Sequence, residues 1–356
     1  MFNYRPAKGR RRLPVTLILL AIGQMVLARA DQPVAPEFAR YERTFLAHEG
    51  YVRAMVFNSD AHNLLTAGSD GLIKQWQTGT GRALKWFSSQ QGHLNAIACS
   101  ADGKLIASAG QDHSIKLWSA RSGQFQKELI GHTRFIKALA FNSSGRLLAS
   151  AGGDAVVRVW DVTSGKLLLT LEGHLSFIGS VRFSPDDKYL VSGGDDHELR
   201  IWRVADGSLF RILTGHTGYI SSLCFLSDPA LLASGSDDQT IRVWRWQEGE
   251  SVRVMKGHTA GISAIAYWSR GASLVSASWD GTIRFWDLAT GRQSGVLEAM
   301  NQPLLSLCLS EKESIVAIGG ADGRVQIWRL LVSLGRKFKP VTVVFSRQSK
   351  SSSSRS

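Results

Sequence analysis

Histidine, aspartate and a hydroxyl residue recur together in this chain at fixed offsets, a combination from which hydrolytic triads and metal sites are built. Asp70, Asp112, Asp154, Asp196, Asp238, Asp280 and Asp322 follow one another at intervals of 42 residues. Four residues ahead of each Asp stands Thr66, Ser108, Ser150, Ser192, Ser234 or Ser276, with Ile318 in the seventh unit. His48, His132, His174, His216 and His258 precede their Asp by 22 residues. Trp76, Trp118, Trp160, Trp202, Trp244, Trp286 and Trp328 each come six residues after the Asp.

The recurrence argues against catalysis. A serine nucleophile needs an exposed elbow and an oxyanion hole, and no G-x-S-x-G occurs. One triad has no reason to appear five times. Metal binding is equally poorly served, because His62, His93, His113 and His197 fall in separate loops, away from the repeated set. Cys99, Cys224 and Cys308 lack any zinc or disulfide spacing and read as small buried hydrophobes. No cofactor, metal site or enzymatic activity is expected.

The elements that carry these residues are short strands. After each His comes an alternating segment such as Ile136–Phe141, then a polar turn at Asn142–Gly145. Leu147–Ser150 is a second strand, Val157–Trp160 a third, and Leu167–Leu171 a fourth, with Gly- and Ser-containing turns between them. A period of 40–45 residues marks a propeller array. With 35 Gly and only 8 Pro, the composition suits a tight-turned all-β chain, and 44% hydrophobic residues can form a sizeable core.

These residues resemble the WD-repeat family: a Gly-His start, an Asp in the turn and a Trp ending the third strand. Trp160-Asp161 and Trp286-Asp287 carry the family dipeptide. The resemblance covers residues 39–330. It implies seven four-stranded antiparallel blades around a central channel, and a His linking the Asp to the hydroxyl inside each blade, with the Trp joining the hydrogen bonds. Unit 2 departs from the pattern, because the His position falls on Gln90 and His93 is displaced onto a loop. Unit 7 has Met300 and Ile318 in place of His and hydroxyl. Blades 2 and 7 are therefore expected to be the more weakly specified.

Ala39–Ala47 reads as a fourth strand with no first three ahead of it, while unit 7 ends its third strand at Trp328. The N-terminal strand is expected to complete blade 7 and remove the open edges. Val341–Phe345 is a competing candidate for that place, although its spacing from Trp328 does not match the repeat.

One rim of the channel should carry the residue three past each His: Tyr51, His93, Phe135, Phe177 and Tyr219, then Gly261 and Pro303. Two residues further lie Arg53, Asn95, Lys137, Gly179, Ser221, Ser263 and Leu305. Asp195, Asp237 and Trp279, each just before a turn Asp, reach the same rim. Aromatics beside charges suit a binding hot spot. The expected partner-binding set is Tyr51, Arg53, His93, Phe135, Lys137, Phe177, Asp195, Tyr219, Asp237 and Trp279. The competing reading has individual rings folding down over the blade below.

The formal charge of +13 resides almost wholly in the ends. Residues 1–30 contain six basic groups and no acid, and residues 333–356 another six and no acid, which leaves one net charge for residues 31–332. Nucleic-acid binding is therefore not expected of the body. The first thirty residues read as a signal peptide: basic Lys8–Arg12, apolar Leu13–Ala28, and the cleavage pattern Ala28-Arg29-Ala30. Export to a periplasmic or extracellular compartment is expected, the alternative being a membrane anchor through residues 13–28. Residues 331–356 form a basic, Ser-rich tail. The reading as a whole is of a monomeric, non-catalytic scaffold for proteins or peptides. Its rival is an enzyme or small-ligand-binding propeller using the central channel.

Overall fold

In a computed structural model the described residues are 38–331, with the backbone of 342–343. They form seven antiparallel sheets of the expected kind. Blade 1 comprises Val52–Phe57, Asn63–Gly68, Leu72–Gln77 and Arg82–Ser88, from the channel outward. Blades 2 to 6 repeat this order. Burial falls across each blade in the same direction. In blade 3, Leu147–Gly152 is almost wholly buried, whereas the outermost strand Leu167–Leu171 keeps only Leu171 inside. The two middle strands are covered on both faces by neighbouring blades, so their runs are continuously apolar or small rather than alternating.

The core lies between blades. Val157, Val159 and Leu171 of blade 3 pack against Ile178, Val181, Leu190 and Trp202 of blade 4. Each conserved-interval Trp thus cements its own blade to the preceding one, and Trp160, Trp244, Trp286 and Trp328 are among the largest fully buried side chains.

The N-terminal strand closes the ring. Ala39–Leu46 pairs antiparallel with Arg324–Leu330, from Ala39 opposite Leu330 to Leu46 opposite Arg324. Phe38 anchors its start against Phe285 of blade 6, with ring centroids 4.9 Å apart. Gly295 makes room for it, since a Cβ there would lie 2.5 Å from the Phe38 ring. Thr342–Val343 of the competing segment pairs elsewhere, in parallel with Val296–Leu297, as a fifth strand on the outside of blade 6. Register explains the outcome. Seven paired positions outmatch two, and the longer strand also buries Ala39 and Ala47. The expected signal peptide, its 13–28 alternative and most of the basic tail lie outside the described residues.

Deleting residues 39–47 removes the outer strand of blade 7 and exposes the edge of Arg324–Leu330. The shortened protein is expected to aggregate or lose its cooperative melt. A monomer that melts cooperatively, read by size-exclusion chromatography and circular dichroism, would show that another segment closes the ring.

Candidate functional site

The repeated polar residues form a buried row in each blade with one direction of donation. In blades 1, 3, 4, 5 and 6 the Trp Nε1–H donates to the Thr or Ser hydroxyl at 2.8–3.0 Å. That hydroxyl lies 2.7 Å from the His Nε2. The His Nδ1 lies 2.7–2.9 Å from an oxygen of the Asp. A neutral imidazole donating from Nδ1 and accepting at Nε2 satisfies every member. The hydroxyls are 0% exposed. They cannot meet a substrate, so the Ser–His–Asp geometry is structural.

The Asp closes the chain against backbone as well. Asp196 accepts from Leu175 N at 3.0 Å and Asp238 from Thr217 N at 3.1 Å. Burial works to raise these carboxyls, but hydrogen bonding and the facing His outweigh it. Asp70, Asp154, Asp196, Asp238 and Asp280 all sit below the ordinary carboxylate range. Burial likewise holds His258 below its usual value, against the pull of Asp280.

Blades 2 and 7 solve the same problem differently, which corrects the expectation drawn from Gln90 and Met300. Gln91, one residue on, is fully buried and occupies the imidazole's place. Its Oε1 accepts from Ser108 Oγ at 2.6 Å, and its Nε2 donates to Ser114 O at 2.8 Å and, more weakly, toward Asp112 at 3.4 Å. A carboxamide carries an acceptor and a donor at one end, as neutral imidazole does at two, so the direction is preserved. The offset is taken up by Gln90, which adopts a positive φ of 55°. In blade 7 Trp328 donates instead to Gln326 Oε1 at 3.0 Å, and Gln326 Nε2 donates to Ala299 O at 2.7 Å. Gln326 stands where the other six blades have Lys or Arg two residues before the Trp; in blade 3 that residue, Arg158, pairs with Asp154 at 2.7 Å.

The rim positions meet in pairs through one backbone hydrogen bond per blade. Ser69 N donates to Tyr51 O, Gln111 N to His93 O, Gly153 N to Phe135 O, Asp195 N to Phe177 O, Asp237 N to Tyr219 O, and Trp279 N to Gly261 O, all at 2.8–3.2 Å. The side chains then divide into two groups. Phe135, Phe177 and Tyr219 are half-buried and lean on one another, with centroids 6.3 and 4.9 Å apart. Missing side chains admit them: a Cβ on Gly153 would strike the Phe135 ring at 2.6 Å, and one on Gly179 the Tyr219 hydroxyl at 2.2 Å. Asp195 is held by Ser176 Oγ at 2.8 Å. Asp237 is raised above its ordinary value by burial and then by the charges of Asp195 and Asp238.

Tyr51 and Trp279 form the second group. They are 45% and 46% exposed, and with Arg53, Pro303, Leu305 and Ala321 they line a recess of about 310 Å³ at the channel mouth. Arg53 stacks over the Tyr51 ring at 5.1 Å. His93 is exposed. Leu175, 86% exposed in the loop between His174 and Phe177, was not anticipated. Its signal is compositional, because blades 3, 5 and 6 have Thr133, Thr217 and Thr259 at that position.

Arg53 and Lys137 owe their direction to a β-bulge. Every innermost strand skips one residue in its register, between Val52 and Ala54, Ile136 and Ala138, and at the corresponding place in the other five blades. A bulge re-aims the extra side chain, here into the channel. The three cysteines are half-buried, and burial pushes the Cys99 and Cys224 thiols up to about 11. Among the described residues no group of three or more His, Cys, Asp or Glu is placed to hold a metal ion. No helix of the described residues is long and apolar enough to cross a membrane.

Replacing Asp196 by Ala leaves the buried His174 Nδ1–H without its acceptor, at a cost of about 1–3 kcal/mol. Asp112→Ala is expected to cost less, because Asp112 is exposed and Gln91 keeps its bond to Ser114 O. Urea melts at pH 7 compare the two, and equal losses would mean that the row is not the main role of these carboxylates. The lowered carboxyls contribute stability that is complete above about pH 4 and lost as pH falls through their folded values. Asp196→Ala is therefore also expected to flatten the fall in unfolding free energy between pH 4 and pH 2.

Compared with known families, the segments 39–77, 84–119, 123–161, 165–203, 207–245 and 249–287 match the model described as WD domain, G-beta repeat. No similar sequence is found among curated proteins.

Proposed function

The chain belongs to the WD-repeat family, whose propellers commonly serve as protein-interaction scaffolds, and we propose that this one binds a protein or peptide partner on the rim bearing Tyr51 and Trp279. The observation that carries the reading is the pair of exposed aromatics flanking an apolar recess. Such rings supply large contact area at small conformational cost, and hot spots are enriched in them. Arg53 gives a polar contact in its wall, while exposed His93 on blade 2 and Leu175 on blade 4 stand outside the recess as further candidate contacts. Phe135, Phe177 and Tyr219 act as a packed arc of rings leaning on one another, rather than as loop-tip anchors.

The reading includes export, on the strength of the basic, apolar and Ala-x-Ala order of residues 1–30. The reading keeps the propeller a monomeric, non-catalytic scaffold; it is supported for the repeated Ser–His–Asp rows, whose hydroxyls are closed to solvent. Intact-mass measurement on protein from its native host is expected to give a chain beginning at Asp31. A mass that retains residues 13–27 would replace export by anchoring.

Tyr51→Ala with Trp279→Ala is expected to weaken partner capture by a hundredfold or more, at about 2 kcal/mol for each ring. The same change should leave stability within about 0.5 kcal/mol per site, because both side chains are exposed. Pull-down with the mature protein identifies the partner, and titration of the variant against it gives the affinity. Undiminished binding by the folded variant would place the interface on another surface. Phe177→Ala, by contrast, should lower the melting temperature, as it removes the middle ring of the packed arc.

A further inference from the structure

The channel wall inside the rim is cationic. A cavity of about 220 Å³ is lined by Arg53, Lys137 and Arg182, with the Asn95, Ser221 and Ser263 side chains between them, and no carboxylate lines it. Arg53 and Lys137 occupy the bulge level. Arg182 lies three residues beyond Gly179 on its strand, about 10 Å further along the channel. Extended Arg and Lys side chains can close much of that separation.

These cations have no ionic partner among the described residues. Arg53 touches the Tyr51 ring, and its Nε is buried without a hydrogen bond. The Lys137 ammonium has no protein acceptor, and Arg182 Nη1 donates only to the adjacent Val181 O at 3.0 Å. The Tyr219 hydroxyl, which lines the same cavity, is buried and also unpartnered. Burial pushes the Lys137 ammonium down to about 8, and the nearby Arg53 adds to the effect. Arg53 and Lys137 are half-buried and Arg182 is open to the channel. Three like charges converging without a counter-charge repel one another, and the buried unsatisfied Arg53 Nε and Tyr219 hydroxyl call for an explanation. The neighbouring hydroxyls do not supply one. Ser221 donates to Ile262 O and Ser263 to Ala277 O, so both are committed to tying the inner strands.

We infer that the channel is a binding site for a small multivalent anion with phosphate or carboxylate oxygens, held by Arg53, Lys137 and Arg182, with the Tyr219 hydroxyl as a neutral donor. Guanidinium groups match such oxygens bidentately and the ammonium adds a point charge. The cavity is smaller than sites that enclose drug-sized ligands, so the anion is of the size of phosphate or citrate. The site lies below the rim recess and adjoins it, sharing Arg53, Trp279 and Leu305 at its upper edge.

The test uses the full chain titrated with inorganic phosphate and, separately, with citrate, at ionic strength held constant with sodium chloride. Melting temperature is expected to rise with either anion, and calorimetry to give saturable binding. Phosphate the stronger points to tetrahedral oxyanions as the natural ligand class, and citrate the stronger to carboxylates. Lys137→Gln and Arg182→Gln are each expected to weaken binding at least tenfold, whereas Lys166→Gln, an equal loss of charge at an exposed position outside the cavity, leaves it unchanged. No stabilisation beyond the chloride control, or wild-type affinity in both Gln variants, overturns the site. Should a variant fail to fold, wild-type protein still decides the matter. The anion should slow acylation of Lys137 at pH 8, read by peptide mass spectrometry, and an unprotected Lys137 refutes the inference.

Discussion

Each blade contains a buried donor that must be answered: the indole N–H of the Trp that fills the space between two blades. The rest of the architecture follows from satisfying it. A Trp at that place provides the apolar bulk that joins blade to blade, but its N–H sits where water does not reach. The hydroxyl accepts from that N–H and donates to the imidazole, and the imidazole donates to a carboxylate anchored to a backbone N–H. Because every link is directional, the row permits one strand register and one side-chain tautomer. Apolar packing alone would allow a strand to slip by two residues with little loss; the polar row does not.

Five blades use the same four residues, and the two exceptions show which property matters. Gln91 and Gln326 share neither sequence offset nor strand, yet each presents an amide oxygen to a donor and an amide N–H to an acceptor. What is retained is polarity along the row, not the residue. This is also where reasoning from the sequence stops short. The 42-residue interval made the seven blades, their strands and the closing segment legible, since periodicity is a property of the whole array. Gln91 was not legible, because a one-residue offset absorbed by Gln90 breaks the count on which the alignment rests, and Gln326 was not, because it stands at a position that carries Lys or Arg elsewhere and not at that of the His or the hydroxyl.

The rim positions were legible as positions, being fixed by the repeat, whereas the attitude of each side chain was not. Whether a ring stands up or lies down depends on what faces it from the next blade. Gly153 and Gly179 decide it for Phe135 and Tyr219, and neither glycine signals this by itself. The channel lining was hidden for a related reason. Alternation along a strand assigns faces only where the register is unbroken, and each innermost strand is broken at the residue that points to the axis. Arg53 and Lys137 thus appear as rim charges in the sequence and as interior charges in the structure.

The strand that closes the ring joins the two extremes of the domain, with Ala39 beside Leu330. Its pairing is the least local contact in the fold, and the loop-closure entropy must be met before that contact contributes anything. The first six blades can assemble progressively, each on the last, but the seventh must wait for both ends to be present. During synthesis the strand Ala39–Leu46 emerges before the rest of the ring and is used last. For that interval it is an unpaired β-segment searching for an edge, and a second unfinished copy offers one. The same joint that covers the edge of Arg324–Leu330 in the finished ring therefore makes its completion slow and sensitive to concentration. A chaperone acting on this chain would have most to gain by shielding the stretch from Ala39 to Leu46.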